Sequence, residues 1–122
     1  MKEQQNTNRY RDLEDRTTRF ATNVIILCRK LSKNSINNPL VNQIVRSSGS
    51  VGANYREANE ALGKKDFIYR MRITRKECKE SDHWLQLIGV ANQEFSAEIL
   101  PLAIECAELR NIFSAILVKT QS

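Results

Sequence analysis

The stretch that decides the fold is residues 38–62, which read NPLVNQIVRSSGSVGANYREANEAL. Apolar and small side chains recur in it in steps of three and four residues, at Val41, Ile44, Ser48, Val51, Tyr55, Ala58 and Leu62. Such steps keep side chains on one face of an α-helix. Asn38 suits the N-cap, Pro39 suits the first helical position, and Gly63 can end the helix in a left-handed conformation. The stretch therefore predicts a long helix with one buried face.

Three further segments, at about 12–31, 65–90 and 96–119, repeat this periodicity. Their predicted core positions are Leu13, Thr17, Phe20, Val24, Leu27 and Leu31; Phe67, Met71, Thr74, Cys78, Ser81, Leu85 and Ile88; and Leu102, Cys106, Leu109, Phe113 and Ile116. Ser96 is a candidate cap, and Pro101 is expected to kink or delay the last helix. Four such helices with short connections predict an all-α fold, an antiparallel up-down-up-down four-helix bundle.

One domain is expected from a chain of 122 residues, and its ends are polar. We predict a disordered polar tail over residues 1–9, the bundle over residues 10–119 and a frayed C-terminus over residues 120–122. The polar start is no signal peptide, and no apolar run is long enough to span a bilayer. A cytoplasmic protein without a membrane partner is therefore expected.

Positive charge is unevenly distributed along the chain, whose formal net charge is +5. Residues 64–91 carry seven basic and four acidic side chains, whereas residues 92–122 carry two and four. On a helical wheel, five cations of the third segment fall within an arc of roughly 100°. We call this set the basic arc: Lys65, Arg72, Arg75, Lys76 and Lys79. Phosphate binding and a solvated charged face both remain open, and Arg46 is a further candidate for phosphate contact.

A second apolar face lies between the basic arc and the predicted core face of the third segment. We call it the tryptophan strip and define it as Tyr69, Ile73, Glu77, Glu80, Trp84 and Leu87. Aromatic residues with interleaved charge are typical of subunit interfaces. A wide core face with Trp84 at its edge is the alternative. We favour the subunit interface.

Small residues interrupt the second helix, where glycine is unfavourable. The pairs Ser48/Gly52 and Gly49/Ala53 are spaced i, i+4, which lets another backbone approach closely, either inside the monomer or at a subunit interface. Asn54 and Glu57 follow, and if they are buried they need partners, for which Arg46 is a candidate. The stretch is no phosphate-binding loop, because Gly-Lys-Ser/Thr does not follow it.

Catalytic and metal-binding patterns are missing from the sequence. His83 is the only histidine, so no Ser/His/Asp or Cys/His set and no paired-histidine metal site can be built. Cys28, Cys78 and Cys106 lack CxxC spacing, which disfavours a zinc site or a disulfide framework. We expect a protein without enzymatic activity, metal or cofactor, whose three cysteine thiols are reduced.

Residues 46–58, RSSGSVGANYREA, resemble the bacterial four-helix-bundle proteins encoded within intervening sequences of large-subunit ribosomal RNA genes. Residues 12–17, 66–68 and 76–85 extend the resemblance. It implies a homopentamer without known catalysis. A distant relative is the accessory protein of diversity-generating retroelements, a basic pentameric barrel that binds a reverse transcriptase. Family members often have Ser as a cap before Asp66, where this chain has Gly63-Lys64-Lys65.

These observations together predict a non-enzymatic homopentamer that associates with RNA or DNA through the basic arc. The alternative is a protein adaptor whose basic face binds a partner such as a retroelement reverse transcriptase. A small-molecule-binding bundle would need an apolar cavity lined by core positions. The well-filled core stripes argue against that cavity, and no small-molecule substrate is expected.

Overall fold

The computed structural model describes the backbone of residues 2–121 and the side chains of residues 12–121. Four helices make up the described chain: α1 (Lys2–Lys30), α2 (Asn37–Asn59), α3 (Lys64–Ala91) and α4 (Ser96–Gln121), with a 3-10 turn at Gln93–Phe95. Contacts join α1 to α2, α2 to α3, α3 to α4 and α4 to α1. Within the described residues the backbones of diagonally opposed helices stay farther apart, although the Tyr55 ring of α2 and the Phe113 ring of α4 meet in the core with centroids 6.0 Å apart. The predicted all-α four-helix bundle is confirmed.

The predicted core face of α1 is buried along its whole length, from Leu13 to Leu31. On α3 every predicted core position from Met71 to Ile88 is buried, and Phe67 is half-buried. On α4 the stripe shifts by one residue at its end, because Leu117 is buried and Ile116 is half-buried. The periodicity of the sequence thus placed the core correctly on these three helices except at Phe67 and at the end of α4, where Leu117 rather than Ile116 is buried.

The predicted end of α2 was wrong. The helix ends at Asn59, and Leu62, predicted as a core residue, is 94% exposed. Gly63 does adopt a positive φ of 105°, as its lack of a side chain permits. It lies at the start of α3, however, where its carbonyl accepts a hydrogen bond from the Phe67 amide at 3.1 Å. The Asp66 carboxylate accepts a hydrogen bond from the Leu62 backbone N–H at 3.2 Å and so stabilises this turn.

The predicted cap of α2 was also wrong. Asn34, rather than Asn38, accepts the backbone amides before the helix, from Ile36 at 3.0 Å and Asn37 at 2.7 Å. Asn37, the first helical residue, is buried, whereas Asn38 is exposed. An asparagine carboxamide that accepts amides two and three residues ahead replaces the missing intrahelical partners at this helix start.

Two predictions concern the ends of the chain and Pro101. The helix α4 runs from Ser96 through the exposed Pro101 to Gln121 as one element, so Pro101 does not delay it. The predicted tail, residues 1–9, falls where no side chains are described, and α1 is assigned from Lys2. The predicted tail therefore stays a prediction. No helix among the described residues is long and apolar enough to cross a membrane.

Candidate functional site

The basic arc lies on the outer surface of α3. Lys65, Arg72, Lys76 and Lys79 are exposed, and Arg75 is half-buried. None of these five side chains forms an ion pair or a side-chain hydrogen bond with another described residue. In addition to Arg46, Lys76 helps to lower the pKa of the Glu80 carboxyl one helical turn away. The field of the basic arc as a whole extends into solvent, where it attracts anions.

Two arginines on other faces of the bundle, Arg16 and Arg56, are paired with carboxylates. Arg16 of α1 binds Glu105 of α4 at 2.7 Å and Glu108 at 2.7 Å. Arg56 of α2 binds Glu14 of α1 at 2.9 Å. These ion pairs tie neighbouring helices together. The cations of the basic arc form no ion pair of this kind between helices.

Arg46 is also bound by carboxylates, although the sequence made it a candidate for phosphate contact. Its guanidinium donates to Glu77 at 3.0 Å and to Glu80, both on α3. Glu80 is the main cause of the raised pKa of Arg46, and Arg46 in turn is the main cause of the lowered pKa of Glu80. The expected pairing of Arg46 with Asn54 or Glu57 was wrong, because the Arg46 guanidinium binds two carboxylates on α3 instead.

The tryptophan strip is half enclosed by the bundle and half open. Tyr69 is 58% exposed and Leu87 is 38% exposed, whereas Ile73 and Trp84 are half-buried. Trp84 packs against the core and donates its Nε1 proton to Glu80 at 3.4 Å. Part of the strip therefore belongs to the edge of the core, as a wide core face would, and part is an exposed apolar surface, as a subunit interface would be.

The two small-residue pairs of α2 have different surroundings. Ser48 and Gly52 are buried, and a Cβ built on Gly52 would lie 3.0 Å from Thr17 Oγ1 on α1. Close packing inside the monomer therefore accounts for this pair. Gly49 and Ala53 are exposed, and a Cβ on Gly49 would meet no atom within 4 Å. This second pair leaves a shallow, open surface on α2.

The polar residues near this stretch have local partners or none. Asn54 is half-buried and donates to the Ser50 carbonyl at 2.9 Å, and Glu57 is exposed. Ser81 on α3 donates to Ser47 on α2 at 2.9 Å, in a fully buried position. That hydroxyl pair was not predicted, since a wheel of either helix alone shows only a small polar residue on the core face.

Two of the three free cysteines meet in the core. The sulfur atoms of Cys78 on α3 and Cys106 on α4 are 3.7 Å apart, and each thiol also donates to the carbonyl of the other residue, at 3.3 and 3.2 Å. The hydrogen bond with Cys78 and burial raise the pKa of the Cys106 thiol. These contacts keep the Cys106 thiol protonated. The residues are 28 positions apart, so their spacing gave no sign of this contact.

The described chain holds no group of three or more His, Cys, Asp or Glu side chains placed to bind a metal ion. His83 is exposed and stands edge-on to the Trp84 ring, with centroids 4.9 Å apart. At one end of the bundle, side chains of all four helices line a half-open cleft of about 960 Å³, among them Leu13, Ala58, Phe67 and Ile112. The cleft is open to solvent, and the expectation that no small-molecule substrate binds stays a prediction.

Comparison with protein families and with solved structures finds matches to this chain. A model of the family described as 23S rRNA-intervening sequence protein matches residues 12–115. A crystal structure of a protein with unknown function from the S23 ribosomal protein family of Bacteroides thetaiotaomicron is 27% identical. Its TM-score is 0.80, and the match covers 88% of this chain and 96% of that chain. No curated protein matches the chain.

Proposed function

The chain belongs to the 23S rRNA-intervening sequence protein family, and on this premise we propose that it is a non-enzymatic, homo-oligomeric protein that associates with nucleic acid. The proposed contact is the basic arc on α3, with the phosphates of RNA or DNA as its ligand. The observation that carries the proposal is that five cations lie together on one outer face of α3 and that none of them forms an ion pair or a side-chain hydrogen bond with a described residue. Arg16, Arg46 and Arg56, by contrast, are bound by carboxylates.

Phosphate contacts would offset the repulsion between the like charges of the basic arc. Arg72 and Lys76 are spaced i, i+4, as are Arg75 and Lys79, and like charges at this spacing mildly destabilise a helix. A bound polyanion removes that cost and releases the counterions condensed on the nucleic acid. Contacts to phosphates position a protein on nucleic acid without reading bases, so we expect weak sequence preference.

Assembly of several copies would strengthen this attraction, because the field of one basic arc adds to those of its neighbours. The tryptophan strip is the proposed subunit contact. Exposed Tyr69 and Leu87 give it a free apolar surface on the helix that also carries the basic arc. The family resemblance suggests a closed ring of five copies.

Fluorescence anisotropy with a labelled RNA hairpin and a DNA duplex of matched sequence tests the proposal. We expect binding at about 50 mM salt and a steep loss of affinity by about 200 mM, with a linear relation between the logarithms of affinity and salt concentration. Absence of binding to both probes at the lower salt concentration would contradict the proposal. The basic arc would then be tested as the contact of a protein adaptor, with a reverse transcriptase as the first partner.

A further inference from the structure

The thiols of Cys78 and Cys106 face each other across the contact between α3 and α4, well inside both helices. Cys78 is 0% exposed and Cys106 is 1% exposed. Their sulfur atoms are 3.7 Å apart, which is close to van der Waals contact, so no other side chain separates them. Each sulfur also lies against the main chain of the opposite helix, because each thiol donates to the carbonyl of the other residue.

The distance between the two sulfur atoms is short enough for a bond to form within the folded bundle. The S–S bond of a disulfide is about 2.05 Å long, so from 3.7 Å each sulfur has to move by about 0.8 Å. Atoms of folded proteins fluctuate by about 0.5–0.9 Å. Motions of this ordinary size therefore bring the sulfur of Cys78 and the sulfur of Cys106 to bonding distance.

Cys28 of α1 provides a contrast within the same chain. It is free and half-buried, and its sulfur makes no hydrogen bond or sulfur contact with Cys78 or Cys106 among the described residues. An oxidised Cys28 therefore has no neighbouring thiol to react with, whereas an oxidised Cys78 or Cys106 has one in contact. The two environments predict different products from the same oxidant.

Burial of the pair limits which oxidants reach it. A thiol that is at most 1% exposed is closed to bulky disulfides such as oxidised glutathione while the bundle is folded. Hydrogen peroxide is little larger than water and enters a core through small local openings. A small peroxide is therefore the class of oxidant that fits this position in the fold.

We propose that Cys78 and Cys106 are an oxidisable dithiol, which a small peroxide converts into a disulfide between α3 and α4. The structure holds the reduced form, in which both thiols are free. The proposal concerns a modification site in the core, so it is independent of nucleic-acid binding and of oligomer formation.

The reaction has two steps, and its atoms and electrons balance. In the first step one thiol takes an oxygen atom from hydrogen peroxide, becomes a sulfenic acid and releases one water molecule. In the second step the neighbouring thiol attacks that sulfur, the S–S bond forms and the S–O bond breaks, and a second water molecule leaves. The two thiols lose two electrons in total, which reduce the peroxide. Contact between the sulfur atoms favours this second step over further oxidation to a sulfinic acid.

Peroxide treatment of a Cys28→Ser variant tests the proposal, because Cys78 and Cys106 are then the only thiols. The folded variant is oxidised without denaturant, the peroxide is removed, and the remaining thiols are alkylated in denaturant. We expect the intact mass to fall by about 2 Da, the mass of two hydrogen atoms. Trypsin cleaves after Lys79 and separates the two cysteines, so the disulfide should join two peptides until dithiothreitol is added. The circular dichroism of the oxidised protein should remain helical.

The matched control is Cys28→Ser/Cys106→Ser, which leaves Cys78 without a sulfur partner. The serine hydroxyl can still donate to the Cys78 carbonyl as the Cys106 thiol does. This variant should give no linked peptides, and any oxidised Cys78 should carry added oxygen. Circular dichroism verifies its fold, and Cys28→Ser/Cys106→Ala replaces it if the serine variant does not fold.

Four results with the Cys28→Ser variant would overturn the proposal. They are two thiols that remain unoxidised, sulfinic acids at both cysteines, a disulfide that joins two different chains, and a disulfide whose formation abolishes the helical signal. The first two would show that the contact does not lead to a bond. The last two would show that the bond forms only outside the folded core.

Discussion

The side-chain amides of Asn37 and Asn92 hydrogen-bond to each other in both directions, with nitrogen–oxygen distances of 3.0 and 2.9 Å. Asn37 also donates to the Ser32 carbonyl at 2.9 Å, and Asn92 to the Ile88 carbonyl at 3.0 Å. Both side chains are 3% exposed, and all their N–H groups have partners. The pair joins the start of α2 to the end of α3 and so fixes how these helices are aligned.

Replacing Asn37 by leucine should lower the free energy of unfolding by about 1–3 kcal/mol, because Asn92 then loses two hydrogen bonds in a buried position. The Asn37→Leu/Asn92→Leu double variant should recover part of the loss, since no buried amide is left without a partner. Asn38→Ala is the control, at an exposed position where changes are usually within about 0.5 kcal/mol. Urea unfolding measures all three. Equal stability of the Asn37→Leu and Asn38→Ala variants would show that the amide pair contributes nothing.

Alanine at Gly52 and at Gly49 should have opposite effects on stability. At Gly52 the new methyl group meets Thr17 3.0 Å away, and overpacking at such a site costs about 1–3 kcal/mol. At Gly49 it enters open space, so the better helix propensity of alanine should stabilise the protein by up to about 1 kcal/mol. The two melting temperatures should therefore move in opposite directions. A rise in both would contradict the close approach of α1 and α2 at Gly52.

Cys28 should react slowly with alkylating reagents until the solution is strongly alkaline. Burial raises the pKa of its thiol from 9.0 to about 11. At pH 8 the folded protein should therefore hold about 100-fold less thiolate at this position than the unfolded chain does. The rate of iodoacetamide labelling, followed by mass spectrometry, should still rise above pH 9. A rate that levels off near pH 9 would contradict the burial of this side chain.

The raised pKa of the Cys28 thiol also determines how the stability of the fold changes with pH. Below about pH 9 the Cys28 thiol is protonated in both states, and its contribution to stability is complete. Between about pH 9 and pH 11 the unfolded chain loses this proton first, so stability falls as the pH rises. A Cys28→Ser variant should show a smaller fall over this range than the unmodified protein.

The helices and their buried faces were predictable because steps of three and four residues report which side of a helix is apolar. The position at which α2 ends was not predictable in this way. Leu62 continues the steps, but the backbone leaves the helix after Asn59. The cap was missed for a related reason, since Asn34 and Asn38 are equally suitable by residue type. Only the conformation of the backbone between α1 and α2 decides which of them accepts the amides.

Contacts between helices were the harder part of the site to predict. Exposure of the basic arc follows from one helical wheel, which gives the angle of each side chain around its own axis. The partners of Arg46 depend on how far α2 and α3 are shifted along each other, and a wheel contains no such information. The contact between Cys78 and Cys106 was missed for the same reason.

Charge reversal on two helices tests the central claim, that the basic arc binds nucleic acid, most directly. Arg72→Glu/Lys76→Glu changes the basic arc, and Arg29→Glu/Lys30→Glu makes the same change in net charge at exposed positions near the end of α1. We predict that the first variant binds the RNA hairpin about tenfold or more weakly and that its salt slope falls by about one for each phosphate that it no longer binds. The second variant should keep most of its affinity and the full slope. Equal losses of affinity in the two variants would contradict the claim, because net charge alone would then account for binding.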